Sequence, residues 1–361
     1  MKKTVKVLTV ILAVAFLVTS FLAGCGSKSV EAPKAEAPKA EASGTEAVKA
    51  EEPKTDAKKI KVGYVVNQMA HEWYQNIIAG GKAEAEKLGY EFVIADSNMD
   101  VNTQVNACEN FVAQKVDALI ITPIDPKAVA PVVKKAKAAG IKVISESNVI
   151  EGADTFVGIS NKAGAKNVGK WYAEYAKANN ITPKVLIVGL PAYQDCSDRV
   201  AGFKEALQES GIKYEIAQEV DGQGNKEKAL AVSTDALTAN KDVNCIFGIN
   251  DDSTTGGMAA YKAAGLDEKK LVAIGFGFEG KVGQEALLSG GPYKAACAMF
   301  PNYVGVGLVD AAQALISGEK LPAHYETPTV AMTKDIFDNF YKKDGDKYQL
   351  DFEAVRALMK K

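Results

Sequence analysis

Residues 60–96 read IKVGYVVNQMAHEWYQNIIAGGKAEAEKLGYEFVIAD, and this stretch decides the fold. Residues 60–66 form a continuous apolar run, which is typical of a strand buried on both faces. Residues 73–88 carry apolar side chains at helical spacing and stop at Gly89, a residue suited to the left-handed conformation that ends helices. Residues 91–96 are apolar again. The stretch therefore predicts a strand, a helix and a second, parallel strand.

The same alternation of strands and helices continues for another 200 residues or so. The whole alternating region is long enough for about two domains. Further strands are predicted at 117–123, 142–147, 155–160, 184–190, 214–220, 245–250, 271–277 and 293–300. Helices are predicted at 102–115, 126–139, 162–178, 198–210, 225–239, 253–264 and 280–289. The rhythm restarts near residue 161, so we expect an α/β protein with two doubly wound parallel-sheet lobes. Ligands of such sheets bind beyond the carboxyl ends of the strands.

Composition narrows the class of protein. The chain has 361 residues, a formal net charge of −2, 47% hydrophobic residues and 24% charged residues. A near-neutral charge argues against a polybasic surface for nucleic acid. The apolar run long enough to cross a membrane lies at the extreme N-terminus, which argues against a polytopic membrane protein.

The N-terminus predicts export and anchoring. Residues 1–24 have lysines followed by an apolar run, as in a secretory signal peptide. The run ends in Leu22-Ala23-Gly24-Cys25, which resembles the bacterial lipobox and implies cleavage before Cys25 and lipid on its sulfur. The alternative is an ordinary signal peptide with an incidental cysteine. Residues 25–59 contain the unit EAPKA twice and no aromatic residue, so after the lipidated cysteine we expect a disordered tether.

Polar and aromatic residues follow the predicted strands. The first strand is followed by Asn67, His71, Trp73 and Tyr74, and the fourth ends in Glu146-Ser147-Asn148. In the second half the corresponding positions hold Asp195 to Arg199, Gln223, Asn250, Asp251 and Gly277, with Met299 after the last strand. Because strand ends meet at one edge of a sheet, these side chains are the candidate site.

The chain resembles the type I periplasmic sugar-binding proteins of bacterial transporters, the ribose- and galactose-binding group, over residues 60–340. The resemblance is carried by residues 61–92 and by VDALIITPIDPKAVAPVVKKAKAAGIKVISES, DRVAGFKEAL, IFGINDDSTTGGMAAYKAAG, AIGFG and EALLSGG, in that order. It implies two lobes joined by three crossovers, a monomer, and non-catalytic capture of a small carbohydrate-like solute for the permease and ATPase of an importer.

The resemblance also implies the limits of the lobes. The crossovers are expected near 160–162, 299–301 and 327–332. The N-terminal lobe would comprise 60–160 with 300–330, and the C-terminal lobe 161–299 with 331–361.

Individual residues match the family pattern. Trp73 and Tyr74 match its paired aromatics, although an aromatic at a helix start is also ordinary core. Asn67 and His71 match polar positions in the same loop; a metal role for His71 is disfavoured because the other histidine is His324. Arg199 matches the arginine of the second lobe, with an ion pair to Asp195 or Asp198 as the alternative. Asn250 matches the strand-end asparagine. Asp251 is a candidate either for binding or for capping the next helix, and Gln223 or Gly224 stands where many relatives carry an aromatic.

Departures from the family pattern bear on the ligand. Ser147-Asn148 replaces an Asp-Arg pair, Gly277 replaces an aspartate, and Met299 replaces a glutamine. Charged anchors for hydroxyls are thus missing. We therefore hypothesise a smaller, less hydroxylated or anionic ligand: a polyol, a modified sugar or a sugar acid.

Other functional classes fit less well. Residues 275–280 spell G-x-G-x-x-G, but no acidic residue ends the next strand, so no dinucleotide cofactor is expected. No Walker loop, zinc spacing or G-x-S-x-G turn is present, and the chain is not expected to be an enzyme. A transcription regulator would carry no export signal, so the predicted signal peptide argues against that class. A sensor that presents a bound ligand to a chemoreceptor or kinase remains the alternative. Four scattered cysteines are expected to be buried thiols: Cys108, Cys196, Cys245 and Cys297. A single disulfide between two of them is the alternative, and the sequence does not assign the pair.

Overall fold

The structure is a computed structural model that describes residues 59–278 and 280–360. The predicted signal peptide, the predicted lipidation site Cys25 and almost all of the predicted tether lie outside the described residues. Within the described residues, no helix is both long enough and apolar enough to cross a bilayer.

Strands and helices alternate as the sequence predicts. The strands are β1 Lys61–Val66, β2 Glu91–Asp96, β3 Ala118–Ile121, β4 Lys142–Glu146, β5 Thr155–Gly158, β6 Lys184–Gly189, β7 Glu215–Asp221, β8 Cys245–Gly248, β9 Val272–Gly277, β10 Tyr293–Ala298, β11 His324–Glu326, β12 Val330–Thr333, β13 Tyr341–Asp344 and β14 Lys347–Leu350. The helices are α1 Glu72–Leu88, α2 Val101–Ala113, α3 Pro126–Ala138, α4 Asn161–Ala178, α5 Gln194–Glu209, α6 Lys226–Ala239, α7 Asp251–Ala263, α8 Lys281–Leu288, α9 Pro301–Ile316 and α10 Phe352–Arg356.

Two six-stranded sheets organise these elements. The first has the order β11-β5-β4-β3-β1-β2 and is parallel throughout. The second has the order β12-β10-β9-β8-β6-β7 and is parallel except for β12, which runs antiparallel to β10. Central strands such as β3 and β8 are buried along their whole length because helices cover both faces. Edge strands β2 and β7 are only partly buried.

The chain passes between the two sheets three times. The passages run from β5 to α4, from β10 to α9 and from β11 to β12. Helix α9 returns to the first sheet, where it packs against α1 and its Val304 and Leu308 join the core. The predicted α/β fold class, with two parallel-sheet lobes and three crossovers, is confirmed. The exact limits of the lobes stay a prediction.

Residues 334–360, called here the C-terminal segment, contact both halves of the protein. Phe337 and Tyr341 stack at 4.8 Å between ring centroids, in an apolar cluster with Phe278 and Tyr293 of the second lobe. Arg356 of α10 reaches the first lobe, where its Nη2 lies 3.4 Å from Glu84 Oε2 in α1 and 3.5 Å from Asp310 Oδ2 in α9. The segment therefore lies across the hinge side of the molecule.

The four cysteines of the described part are free and buried: Cys108, Cys196, Cys245 and Cys297. Burial raises the pKa of each thiol, as expected for cysteines that serve as small core residues.

Candidate functional site

The two lobes touch across a cleft near their strand ends. Trp73, in the first turn of α1, packs against the apolar cores of both sheets. Gly280, which precedes α8 in the second lobe, lies so close to Glu72 of α1 that a β-carbon at position 280 would collide with the Glu72 carboxylate. The first turn of α1 therefore reaches across the cleft from the first lobe and touches the second.

The loop after β1 brings four predicted site residues together. Asn67 Nδ2 donates to Tyr74 Oη at 2.9 Å, while Asn67 Oδ1 is buried without a hydrogen-bond partner among the described residues. His71 caps α1, because its Nδ1 accepts from the Trp73 backbone N–H at 3.1 Å. The His71 and Tyr74 rings meet edge to face, with 5.8 Å between centroids. Asn67, His71, Trp73 and Tyr74 are thus one hydrogen-bonded and packed group.

Glu146, at the end of β4, is named in the sequence analysis only as the residue that precedes Ser147 and Asn148, with no role of its own. Its side chain is buried and accepts from Thr122 Oγ1 at 2.6 Å and from Ser147 Oγ at 2.7 Å. The Trp73 side chain lies near enough to this carboxyl to lower its pKa. Burial raises the pKa of Glu146 above its usual range, while these donors oppose the rise. The carboxyl links three elements, β3, β4 and α1, at the floor of the cleft.

Burial and the charged side chains of both lobes raise the pKa of Tyr74. Burial, followed by the charge of Glu146, raises the pKa of Tyr74 to about 12, and Asp195 of the second lobe adds to the rise. Its hydroxyl therefore stays protonated at neutral pH and is a hydrogen-bond donor. The predicted neighbours Ser147 and Asn148 are exposed, and the Ser147 hydroxyl bonds to both Glu146 and Tyr74.

Arg199 of α5 is fixed on the facing wall. Its Nε donates to Asn161 Oδ1 at 2.8 Å, its Nη1 donates to the Ile249 carbonyl at 2.9 Å, and the guanidinium lies 4.4 Å from the centroid of the Phe276 ring. Its Nη2 is 3.7 Å from Asp195 Oδ2. The ion pair considered for Arg199 is thus present, and the side chain keeps donors that these contacts do not use.

Asn250 and Asp251 are held by their own lobe. Asn250 caps α7, with its Oδ1 accepting from Ser253 N at 2.8 Å and its Nδ2 donating to the Gly224 carbonyl at 2.9 Å. The Tyr293 hydroxyl donates to Asp251 Oδ1. The cap of α7 is Asn250, so the capping role considered for Asp251 is not observed. Ligand contact by Asn250 or Asp251 stays a prediction.

The last three predicted positions are mainly backbone features. Gln223 lies exposed in a turn with φ 54°, and Gly277 has φ 108°, a conformation that favours glycine. Met299 is buried in the core of the second lobe, and its N–H donates to the Gly277 carbonyl at 3.1 Å. Gly277 and Met299 therefore shape the start of the second crossover. Ligand contact by these three also stays a prediction.

A separate cavity of about 420 Å³ lies between the carboxyl half of α9 and β11. Its lining contains none of the predicted site residues: Asp310, Ala311, Gln313, Ala314, Ser317, Glu319, Leu321 and Tyr325. Because it lies away from the strand ends, we do not assign the ligand site to it.

Comparison with known proteins identifies the family. A family model described as a periplasmic binding protein domain matches residues 62–320. The chain belongs to this periplasmic binding protein family. It is a member of the type I sugar-binding group, as the sequence resemblance predicts. This group provides the solute-binding proteins of ABC transporters.

Curated relatives of this periplasmic binding protein span most of its length. The D-ribose/D-allose-binding protein of Pseudomonas aeruginosa is 29% identical, covering 76% of this chain and 89% of that protein. The ribose import binding protein RbsB of Escherichia coli is 26% identical, covering 74% and 88%. These relatives are binding proteins rather than enzymes.

Solved structures of periplasmic binding proteins share the fold. A solute-binding protein of Mycobacterium smegmatis with bound glycerol is 25% identical, with a TM-score of 0.65 over 81% of this chain and 100% of that chain. One from Actinobacillus succinogenes with bound D-allose is 24% identical, with a TM-score of 0.68 over 78% and 100%. The latter likeness concerns the fold alone.

Proposed function

We propose that this protein is an extracytoplasmic lipoprotein that captures a small carbohydrate-like ligand and delivers it to the permease of an ABC importer. The ligand would be a sugar, a polyol or a sugar acid. The observation that carries the proposal is the convergence of Trp73 and Tyr74 from one lobe with Arg199 from the other. Flat aromatic faces suit the C–H surfaces of such a ligand, and the arginine fork suits adjacent hydroxyls or a carboxylate.

The mechanism is a shift between open and closed lobes. A ligand in the cleft contacts both lobes only when they are closed, so it binds the closed form more tightly and shifts the population toward it. The three crossovers act as the hinge, and the permease would recognise the closed pair of lobes. Lipid on Cys25 and the tether of residues 25–59 would hold the monomer at the outer face of the membrane.

Titration calorimetry with D-ribose, D-allose, D-xylose, glycerol, myo-inositol and D-gluconate tests this function. The chain has two tryptophans, which supply a matched pair of variants. We expect Trp73→Ala to weaken binding by at least about tenfold, since it removes an aromatic wall of the cleft.

The control is Trp171→Ala, which should leave affinity unchanged, because Trp171 stacks on Tyr175 of α4 at 5.2 Å between centroids. Absence of binding across the panel, or chemical turnover of any member, would contradict the proposed function.

A further inference from the structure

The hydrogen bonds around Glu146 favour its ionised form. The Thr122 and Ser147 hydroxyls donate to the carboxyl at 2.6 and 2.7 Å. Thr122 Oγ1 also lies 2.8 Å from Tyr64 Oη, so the three groups form one chain of hydrogen bonds. Two hydroxyls directed at the carboxyl stabilise its charged form, against the burial that raises its pKa.

No lysine, arginine or histidine forms an ion pair with Glu146 among the described residues. The hydrogen-bond partners of its side chain are two hydroxyls. Arg199 is matched by Asp195 and held by Asn161 and the Ile249 carbonyl, so its charge is already balanced within the second lobe. His71 Nδ1 accepts the backbone N–H of Trp73. A buried carboxylate without a cation is costly, and such groups concentrate at functional sites.

Further negative charge lies at the edge of the cleft. Glu72 projects from the first turn of α1 toward Gly280 of the second lobe. Glu146 acts on Tyr74 from the first lobe. Asp195 also acts on Tyr74, but it pairs with Arg199, so this pair adds no net charge to the cleft. A ligand placed against Tyr74 therefore meets net negative charge from Glu146, with Glu72 at the edge.

We propose that Glu146 sets the charge selectivity of the cleft, which excludes acidic carbohydrates and binds an amine-bearing carbohydrate more tightly than its neutral parent. This inference rests on the proposed function. Of the ligand classes proposed there, it excludes the sugar acid. A ligand ammonium would supply the missing positive charge between Trp73, Tyr74 and the carboxylates, whereas a ligand carboxylate would add a like charge to a poorly solvated space.

Two matched ligand series test the inference by calorimetry on the full chain. They are D-glucose, D-glucosamine and D-glucuronate, and D-galactose, D-galactosamine and D-galacturonate. We expect wild type to bind the amine more tightly than the acid by at least about tenfold in each series that binds. In Glu146→Gln this ratio should fall toward unity, and in Glu146→Asp the order should persist.

The ratio is measured within one variant, so a general loss of affinity or stability cancels. Glu151→Gln removes the same charge from the exposed loop after β4 and should leave the ratio unchanged. If wild type binds the acid as tightly as the amine, or if Glu146→Gln leaves the ratio unchanged, the inference is wrong while the proposed function stands. If no compound of these series or of the earlier panel binds, the proposed function fails and the inference fails with it.

Discussion

Arg199 shows how strongly a single side chain is oriented before any ligand arrives. Its bonds to Asn161 and the Ile249 carbonyl and its position over Phe276 use the planar guanidinium in three different ways. Lysine offers a point charge without that fork. We expect Arg199→Lys to weaken ligand binding by about ten- to a hundredfold, measured by calorimetry, because the charge stays while the directed donors are lost.

The control for this prediction is Lys204→Ala on the same helix. Lys204 pairs with Glu219 of β7, away from the strand ends, so its loss should not alter affinity. Equal affinity of Arg199→Lys and wild type would show that the guanidinium does not contact the ligand.

The sequence predicts some site residues much better than others. Trp73 and Tyr74 are recognisable because two large aromatics follow directly on a polar loop after a strand. Glu146 is not, because a carboxylate at a strand end is ordinarily solvated. Its burial arises only when β3, β4 and α1 come together around it, and no local pattern records that meeting.

Helices α1 and α9 pack at unusually short range. A β-carbon at Gly80 would overlap the backbone carbonyl of Asn302, and one at Gly305 would overlap that of Ile77. These obstacles are main-chain atoms, so the helices would have to separate to admit a methyl group. We expect Gly80→Ala to lower the free energy of unfolding by about 2–4 kcal/mol, measured by denaturant titration.

Gly291→Ala provides the comparison for the helix contact. A β-carbon there would lie 3.4 Å from Ser289 Oγ, an exposed side-chain atom, and we expect little change in stability. If Gly80→Ala proves as stable as Gly291→Ala, the close approach of α1 and α9 is not rigid.

Secondary structure is predictable where one pattern dominates. Strand β2 lies at Glu91–Asp96, as predicted, because an apolar run stands between two clear breaks. Strand β10 ends at Ala298, two residues before the predicted end, since Phe300 adopts φ 50° as the chain turns into α9. The sequence analysis does not predict helix α9. The helix is buried on most sides, so its apolar residues do not recur at helical spacing. Strand β11 has three residues and gains its conformation only by pairing with β5.

Asp310 of α9, which faces Arg356 of the C-terminal segment, gives the folded protein a specific dependence on pH. Burial raises the pKa of Asp310 to about 6, although the charge of Arg356 opposes the rise. Asp310 thus binds its proton more readily in the folded chain than in the unfolded chain, where its pKa is about 3.9. Its contribution to the free energy of unfolding should therefore increase as pH falls from about 7 to about 4, by on the order of 1 to 2 kcal/mol after allowing for its partial exposure.

Denaturant titrations of wild type and Asp310→Asn across this pH range test the dependence. The difference between the two curves isolates Asp310 from other titrating groups. We expect the variant to lose the gain in stability at low pH, whereas Asp338→Asn, at an exposed position of the C-terminal segment, should keep it. Parallel curves for wild type and Asp310→Asn would overturn the assignment.

The interleaved course of the chain has a consequence for biosynthesis. The first sheet contains β5, which ends at Gly158, and also β11, which ends at Glu326. A ribosome adding about 5–20 residues per second needs roughly 10–30 s to deliver the intervening chain. During that interval the earlier half lacks both its closing helix and its edge strand, so neither lobe can be produced by simply cutting the gene in two. The first lobe therefore cannot complete its sheet until nearly all of the chain has been made.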